Sequence, residues 1–188
     1  MKLLAALSVS LFLSGAAHAE PMSALGADSL REAFNRESDS VRVVSLLSPV
    51  CGDCQAGHKV MASVFRKEKA KSLRGFMVWL PMVEGDSAEA ASTQASRLAD
   101  SRVVVQGWDG GKEIGELFRS TLKLTRTAWD VYLIYPPGVK WEGKEPPAPS
   151  YWMHQLERDS GADPKLCLNA PAFARKLGAE IRKAAGKS

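Results

Sequence analysis

The sequence predicts an α/β fold in which a central mixed sheet is covered by helices on both faces. Short apolar runs rich in valine, leucine and aromatic residues alternate with segments whose apolar residues recur at helical spacing. The residues that follow position 19 are numerous enough for one domain with a sizeable core. We therefore expect a single layered domain over residues 20–188.

Residues 1–19 have the pattern of a secretory signal. Lys2 precedes an apolar run over residues 3–13, and small residues then end at Ala19. The apolar run is too short to span a bilayer, and no later segment approaches about 20 apolar residues. We therefore expect a protein of the bacterial periplasm, where disulfides persist, without stable membrane insertion.

The charge balance argues against a nucleic-acid partner. The chain carries 25 Lys and Arg residues against 21 Asp and Glu residues, a formal net charge of +4. Both signs are mixed along the chain instead of being gathered into a basic patch. The segment Gly110-Gly111-Lys112 lacks the remaining spacing of a phosphate-binding loop.

Helices and strands are predicted to alternate along the chain. A short helix over residues 28–37 precedes a first strand over residues 42–48, which is apolar enough to be buried on both faces. The next helix carries an apolar stripe of Val60, Met61, Val64 and Phe65. The following elements are predicted as a strand at 75–82, a helix from a capping box of Asp86 and Glu89 to about residue 99, a strand at 103–105, a helix with Ile114, Leu117, Phe118 and Leu122 inward, and a strand at 129–135.

Residues 136–168 are rich in proline and aromatic residues and predict an irregular insertion. Within it, residues 138–142 are expected to add a short edge strand and residues 151–156 a helical turn. A final helix follows, capped by Asn169, with these further residues in its first turn and buried stripe: Pro171, Phe173, Leu177 and Ile181.

Two cysteines, Cys51 and Cys54, stand where the first strand gives way to the next helix. The first lies at the helix start, where free backbone N–H groups and the helix dipole favour a thiolate. Such a setting lowers the pKa of a cysteine from about 8.5 by roughly 1 to 5 units. We therefore predict that Cys51 attacks a disulfide and that Cys54, about one turn further in, resolves the mixed disulfide.

The acidic residue between the two cysteines opposes this activation. The Asp53 carboxylate repels a neighbouring thiolate and should raise the pKa of Cys51. Our hypothesis is a cysteine pair of moderate or reducing potential instead of a strong oxidant. A measured Cys51 pKa near 4 would contradict it, because a thiolate that stable is typical of an oxidising pair.

The element order, the export signal and the Cys-Gly-Asp-Cys motif of residues 51–54 together resemble the thioredoxin fold. The resemblance is closest to its exported thioredoxin-like and peroxiredoxin-like branch, because an extra βα unit lies within residues 81–109. It covers about residues 42–142 and the final helix. It implies that Cys51 is the nucleophile and Cys54 the resolving thiol. It also implies that no cofactor is bound and that electrons pass to or from protein thiols, disulfides or a redox partner protein.

The sequence departs from that family at three positions near the cysteines. Val50 stands where the family places a tryptophan, and Ser45 stands where it places a buried acid. The family's cis-proline should fall within residues 128–130, which contain no proline. Trp129 and Asp130 are therefore expected to face the sulfurs, with Trp129 binding the partner and Asp130 acting as proton acceptor.

Two other function classes remain open. The cysteines and His58, with His154 as a distant ligand, could bind Cu(I) or Zn(II), as Sco-type copper chaperones of this fold do with cysteines and a distant histidine. His58 is more simply a hydrogen-bonded core residue, so we assign no metal ligand. Alternatively, Cys51 and Cys54 form a static disulfide in a partner-binding module.

A thiol peroxidase is a further alternative. Ser48, three residues before Cys51, and Arg126, just ahead of the fourth strand, are residue types that peroxiredoxins use to polarise peroxide. Val44 stands where those enzymes carry a proline. The third cysteine, Cys167, is expected to be buried and inert because leucines flank it, although a redox or intermolecular role is open.

Overall fold

One mixed sheet of five strands organises the chain in the computed structural model, which describes residues 20–98 and 100–186. The predicted signal at residues 1–19 lies outside the described residues, as does the expected end of the third helix at residue 99. The strands are β1 at Val41–Leu47, β2 at Leu73–Trp79, β3 at Val103–Trp108, β4 at Val131–Tyr135 and β5 at Tyr151–His154. Their order across the sheet is β3-β2-β1-β4-β5.

The central strand β1 has neighbours of both directions. It pairs in parallel with β2 and antiparallel with β4, and all seven of its residues are buried. The strand β3 adds to β2 in parallel, and β5 adds to β4 antiparallel. The prediction of a mixed sheet with a fully buried first strand is therefore confirmed.

Helices cover both faces of the sheet and separate the core into two clusters. The helices are α1 at Ala27–Arg36, α2 at Gly52–Lys67, α3 at Ala88–Ala95, α4 at Glu113–Leu122 and α5 at Ala170–Ala185. One cluster packs α2, α3 and α5 against the sheet through residues such as Phe65, Ala91 and Phe173. The other packs α1 and α4 through residues such as Leu30 and Phe118.

Among the described residues, none of these helices is both long enough and apolar enough to cross a bilayer.

The proline-rich insertion differs from its prediction. Residues 138–142 form no strand, and the edge strand is instead β5, where a helical turn was expected. The sequence Tyr-Trp-Met-His of β5 favours extended structure, and the free edge of β4 supplies its hydrogen bonds. Prolines cluster in residues 136–149, and because proline lacks a backbone N–H, this segment cannot continue the sheet.

The third helix is capped by a different residue from the one predicted. The Ser87 hydroxyl accepts the hydrogen bond from the backbone N–H of Ala90, so Ser87 and not Asp86 is the N-cap of α3. The Asp86 carboxylate turns instead toward the loop that precedes Cys51. The prediction was wrong because the two neighbouring residues are equally good caps and only tertiary contacts distinguish them.

Candidate active site at the start of helix α2

Cys51 is the N-cap residue of α2, as the sequence predicted. Its side chain is half-buried, and no side-chain hydrogen bond caps the helix at this position. The Cys54 thiol, acting as a hydrogen-bond donor toward the Cys51 sulfur, lowers the pKa of Cys51 to about 6. Backbone N–H groups of Cys54 and Asp53 act in the same direction, whereas burial and the Asp53 carboxylate oppose them. Cys51 is therefore largely a thiolate at neutral pH.

Cys54 lies one turn further along α2 and is fully buried. The backbone N–H of Ser48 donates a hydrogen bond to its sulfur at 3.3 Å. Burial raises the pKa of Cys54 well above its usual value, and the hydrogen bond to Cys51 and the charge of Asp130 act in the same direction. Cys54 therefore holds its proton in the reduced protein and needs a base before it can attack.

Asp130 supplies a carboxylate beside both sulfurs. It lies just before β4, is 1% exposed, and has a φ of 51°, in the left-handed region where Asp is tolerated better than most residues. One carboxylate oxygen and the two sulfurs all lie within 4.8 Å of one another. The expectation that Asp130 faces the cysteines is thus met in the structure.

The surroundings of Asp130 raise the pKa of its carboxyl group into the neutral range. Burial, together with the negative charges of Cys51 and Asp53, raises the pKa of Asp130 to about 7. Hydrogen bonds from Tyr132 and Cys54 act in the opposite direction because they favour the carboxylate. A carboxyl group in this range can both accept and release a proton near pH 7.

A cysteine pair at the carboxyl end of the central strand of a mixed sheet, with helices on both faces, is the arrangement that the resemblance implied. The chain has a thioredoxin-like fold. No family model matches the sequence, and no curated protein does.

Three solved structures are similar to this thioredoxin-like chain at low sequence identity. A secreted Mycobacterium tuberculosis disulfide oxidoreductase homologous to Escherichia coli DsbE shares 10% identity, with coverage of 75% of this chain and 82% of that chain and a TM-score of 0.48. M. tuberculosis DsbF shares 12%, with coverage of 79% and 84% and a TM-score of 0.47. A putative thiol:disulfide interchange protein DsbE from Chlorobium tepidum shares 17%, with coverage of 80% and 84% and a TM-score of 0.47.

A second carboxylate, Asp86, holds the loop before Cys51 in place. Its oxygens accept hydrogen bonds from the Ser48 hydroxyl at 2.8 Å and from the backbone N–H of Val50 at 3.0 Å. They also accept from the backbone N–H groups of Met82 and Val83. Asp86 thus ties the loops that follow β1 and β2 together. The sequence offered no signal for this role, because Ser48 and Val50 lie 38 and 36 positions before Asp86.

A cleft beside Asp130 contains Trp129, the predicted partner-binding residue. The cleft has a volume of about 460 Å³, and its apolar lining includes Met82, Val83 and Leu156. Val83 is among the more exposed large apolar side chains of the described chain, at 38%, and Val50 next to Cys51 is equally exposed. Trp129 is half-buried, so part of its ring is accessible to a bound molecule.

Neither histidine considered as a metal ligand joins the cysteines. His58 is buried, and its ring packs edge-on against Trp79 with a centroid distance of 5.3 Å. Burial lowers the pKa of His58 to about 4, so the ring is neutral. His154 uses both ring nitrogens locally, with Asp163 and with the N–H of Leu156. The expectation that His58 is a core residue is met, but its ring nitrogens lack geometrically good hydrogen bonds within the described structure.

Cys51, Cys54 and Asp130 could by themselves offer three ligand atoms to a soft or borderline cation. Such a cation would have to displace the Cys54 proton, which burial holds strongly, and compete with any proton on Asp130. The chemistry of the three groups therefore favours proton and thiol transfer.

The expectation that Cys167 is buried is wrong. Cys167 is exposed and not buried, because it lies in an irregular segment beside the edge strand β5. The side chains of the peroxidase alternative are engaged by other groups: the Ser48 hydroxyl donates to Asp86, and the exposed Arg126 pairs with Asp159 and Glu157. Neither is free to polarise a peroxide at Cys51.

Proposed function

We propose that this protein is a periplasmic thiol-disulfide oxidoreductase that cycles Cys51 and Cys54 between dithiol and disulfide. The observation that carries the proposal is the grouping of a half-buried, low-pKa thiol, a buried high-pKa thiol and a carboxyl group titrating near neutrality within 4.8 Å. The export pattern of residues 1–19 supports the location, since disulfides form and persist outside the cytoplasm. No resident cofactor takes part.

The first step uses the Cys51 thiolate. It attacks one sulfur of a substrate disulfide, an S–S bond forms between Cys51 and that sulfur, and the other substrate sulfur leaves as a thiolate. The helix N-terminus and the Cys54 thiol stabilise the attacking charge. A partner chain would approach over the exposed Val50, which precedes Cys51, and over the cleft that Trp129 and the exposed Val83 line.

The second step needs the Cys54 proton to be removed. Asp130 accepts that proton, the Cys54 thiolate attacks the Cys51 sulfur, and the bound substrate sulfur leaves and takes up a proton from solvent. The substrate disulfide is thereby reduced by two electrons, and the Cys51–Cys54 disulfide forms. The reverse sequence oxidises a dithiol substrate with the same groups.

The charge balance of the site favours this order of events. In the reduced protein, the Cys51 thiolate raises the pKa of Asp130. Once Cys51 is bonded to substrate, that negative charge is gone, so Asp130 ionises more readily. The base therefore becomes available at the stage where Cys54 must lose its proton.

A two-phase thiol release experiment tests the proposal. The reference protein carries Cys167→Ser, because the exposed Cys167 thiol would also react with the reagent; it stands for the wild-type protein in this assay. Mixed in its reduced form with the chromogenic disulfide of 5-thio-2-nitrobenzoate, it should release one thiol as the mixed disulfide forms and a second as Cys54 attacks. Asp130→Asn should leave the first phase unchanged and slow the second about 100-fold at pH 7, the size typical of general base catalysis. Asn keeps the side-chain shape and also tolerates the positive φ.

Asp109→Asn is the matched control. Asp109 is a second buried carboxylate whose pKa burial raises, but its oxygens accept hydrogen bonds from the backbone N–H groups of Glu113 and Ile114 at the start of α4. It should not alter either phase. Equal second-phase rates for Asp130→Asn and the wild-type protein across pH would remove Asp130 from the mechanism, and a wild-type protein that releases only one thiol would refute the cycle. A chelator in every reaction excludes metal effects.

A further inference from the structure

Asp130 is the first member of a buried chain of hydrogen-bonding groups. The Tyr132 hydroxyl donates to a carboxylate oxygen of Asp130 at 2.7 Å. The same hydroxyl lies 3.3 Å from the side-chain oxygen of Gln155. Tyr132 is fully buried on β4, and Gln155 is half-buried just after β5. Its backbone N–H also donates to the Asp130 carbonyl, so the two residues are held together at main-chain level.

The helix opposite is shaped to admit the tyrosine. A Cβ atom on Gly57 would lie 1.7 Å from the Tyr132 hydroxyl and 2.5 Å from the Gln155 oxygen. Only glycine at this position of α2 lets the hydroxyl reach Asp130. A glycine inside a helix costs stability relative to alanine, so its presence one turn after Cys54 is accounted for by this close approach.

A tyrosine hydroxyl has one proton and cannot donate to Asp130 and Gln155 together. When Asp130 is ionised, the proton points to the carboxylate. When Asp130 is protonated, its O–H can donate to the Tyr132 oxygen, and the Tyr132 proton can then point to the Gln155 oxygen. Both arrangements satisfy the buried groups, and the change requires only rotation of hydroxyl hydrogens.

We propose that Tyr132 is a positioning residue whose hydrogen bond reverses when Asp130 takes up the Cys54 proton, with Gln155 as the alternative acceptor. This inference rests on the proposed function, because it assigns the device that lets Asp130 hold and release a proton without moving. Tyr132 itself stays protonated, since burial and the Asp130 charge keep the pKa of its hydroxyl well above the ordinary value.

The groups that act on the titration of Asp130 are few. Within the described chain they are Cys51, Cys54 and Asp53 at the start of α2, and Tyr132 on β4. The charges of Cys51 and Asp53 oppose ionisation of Asp130, whereas the hydrogen bonds from Tyr132 and Cys54 favour it. Removing the Tyr132 hydroxyl should therefore shift proton uptake by Asp130 to higher pH.

The test follows the pH dependence of the second thiol release. We call the pH at which the rate of that release is half-maximal the midpoint. In Tyr132→Phe, the midpoint should move up by about one pH unit, the shift expected when a hydrogen bond to a charged group is lost. Tyr135→Phe is the matched control: Tyr135 is also buried on β4 and donates to the carbonyl of Pro147, away from Asp130. It should leave the midpoint unchanged.

A second variant tests the reversal itself. Gln155→Met keeps the length of the side chain but removes the acceptor for the reversed state, so the midpoint should move down, opposite to Tyr132→Phe. Infrared difference spectra, with the Asp130 band assigned by means of Asp130→Asn, measure the pH at which this carboxyl group ionises without any turnover. That pH should be higher in Tyr132→Phe and lower in Gln155→Met than in the wild-type protein.

The outcomes separate the two proposals. If the wild-type protein releases only one thiol, the proposed function fails. If it releases two thiols but the midpoints of Tyr132→Phe and Tyr135→Phe are the same, the positioning role of Tyr132 fails. If Gln155→Met moves the midpoint upward or not at all, the reversal fails.

Discussion

Cys51→Ser is expected to lower the rate of disulfide exchange at least 1000-fold, to the level of the buffer, because serine cannot supply the thiolate that attacks the substrate. The measurement is the reduction of insulin disulfides by dithiothreitol with and without the protein. The fold should be unaffected, since the side chain is half-buried and makes no helix-capping hydrogen bond.

Cys167→Ser is the control for this variant. Cys167 is exposed and lies beside β5, outside the group formed by the two motif cysteines and Asp130. Its replacement should leave the rate unchanged. If activity survives Cys51→Ser but is lost in Cys167→Ser, then Cys167 is the attacking thiol and the role given to Cys51 is wrong.

Gly57→Ala is expected to destabilise the protein by about 3 kcal/mol, from overpacking and from loss of the Tyr132 bond to Asp130. The added carbon would overlap a tyrosine ring held in a buried site, so the ring or the helix must move. Urea unfolding measures the stability.

Gly178→Ala provides the comparison. Gly178 lies in α5, where an added Cβ would meet only the end of the Arg182 side chain at 3.3 Å. Replacement there should be neutral or stabilising by up to about 1 kcal/mol, since alanine favours a helix. If both variants have the same stability, the contact between Gly57 and Tyr132 is not as tight as the structure places it.

The sequence was sufficient where the physical cause is local. The apolar run of β1, the helical stripe of α2 and the position of Cys51 at the helix start follow from periodicity and from the break at Pro49. For the same reason the burial of Cys54 one turn later could be predicted. Asp130 could be placed opposite the cysteines only through the resemblance to the thioredoxin fold.

The supporting groups of the site could not be predicted, because they depend on contacts between distant segments. Asp86 looked like a helix cap and instead binds the loop before Cys51, 36 positions away from Val50. The hydrogen bond from Tyr132 to Asp130 joins residues that are two positions apart in the sequence. It nevertheless forms only because Gly57 on helix α2 leaves room for the Tyr132 hydroxyl.

Burial of single residues was the weakest part of the sequence analysis. Leucines on both sides of Cys167 suggested a buried thiol, but the segment has no helical or strand periodicity to fix which side faces inward. The reverse case is Arg42, which is fully buried in β1 and donates to the carbonyls of Phe34, Pro136 and Val139. A guanidinium can be buried in this way only because the last turn of α1 and the segment that follows β4 present carbonyls to it.

The most direct test of the account is the reduction potential of the Cys51–Cys54 pair, measured by equilibration in glutathione or dithiothreitol buffers and by mass after alkylation. The account predicts a reversible two-electron couple between about −120 and −270 mV, nearer the reducing end because Asp53 opposes the Cys51 thiolate. A potential below about −300 mV would contradict it and indicate a structural disulfide. Thiols that resist oxidation until a chelator is added would contradict it in favour of a metal site.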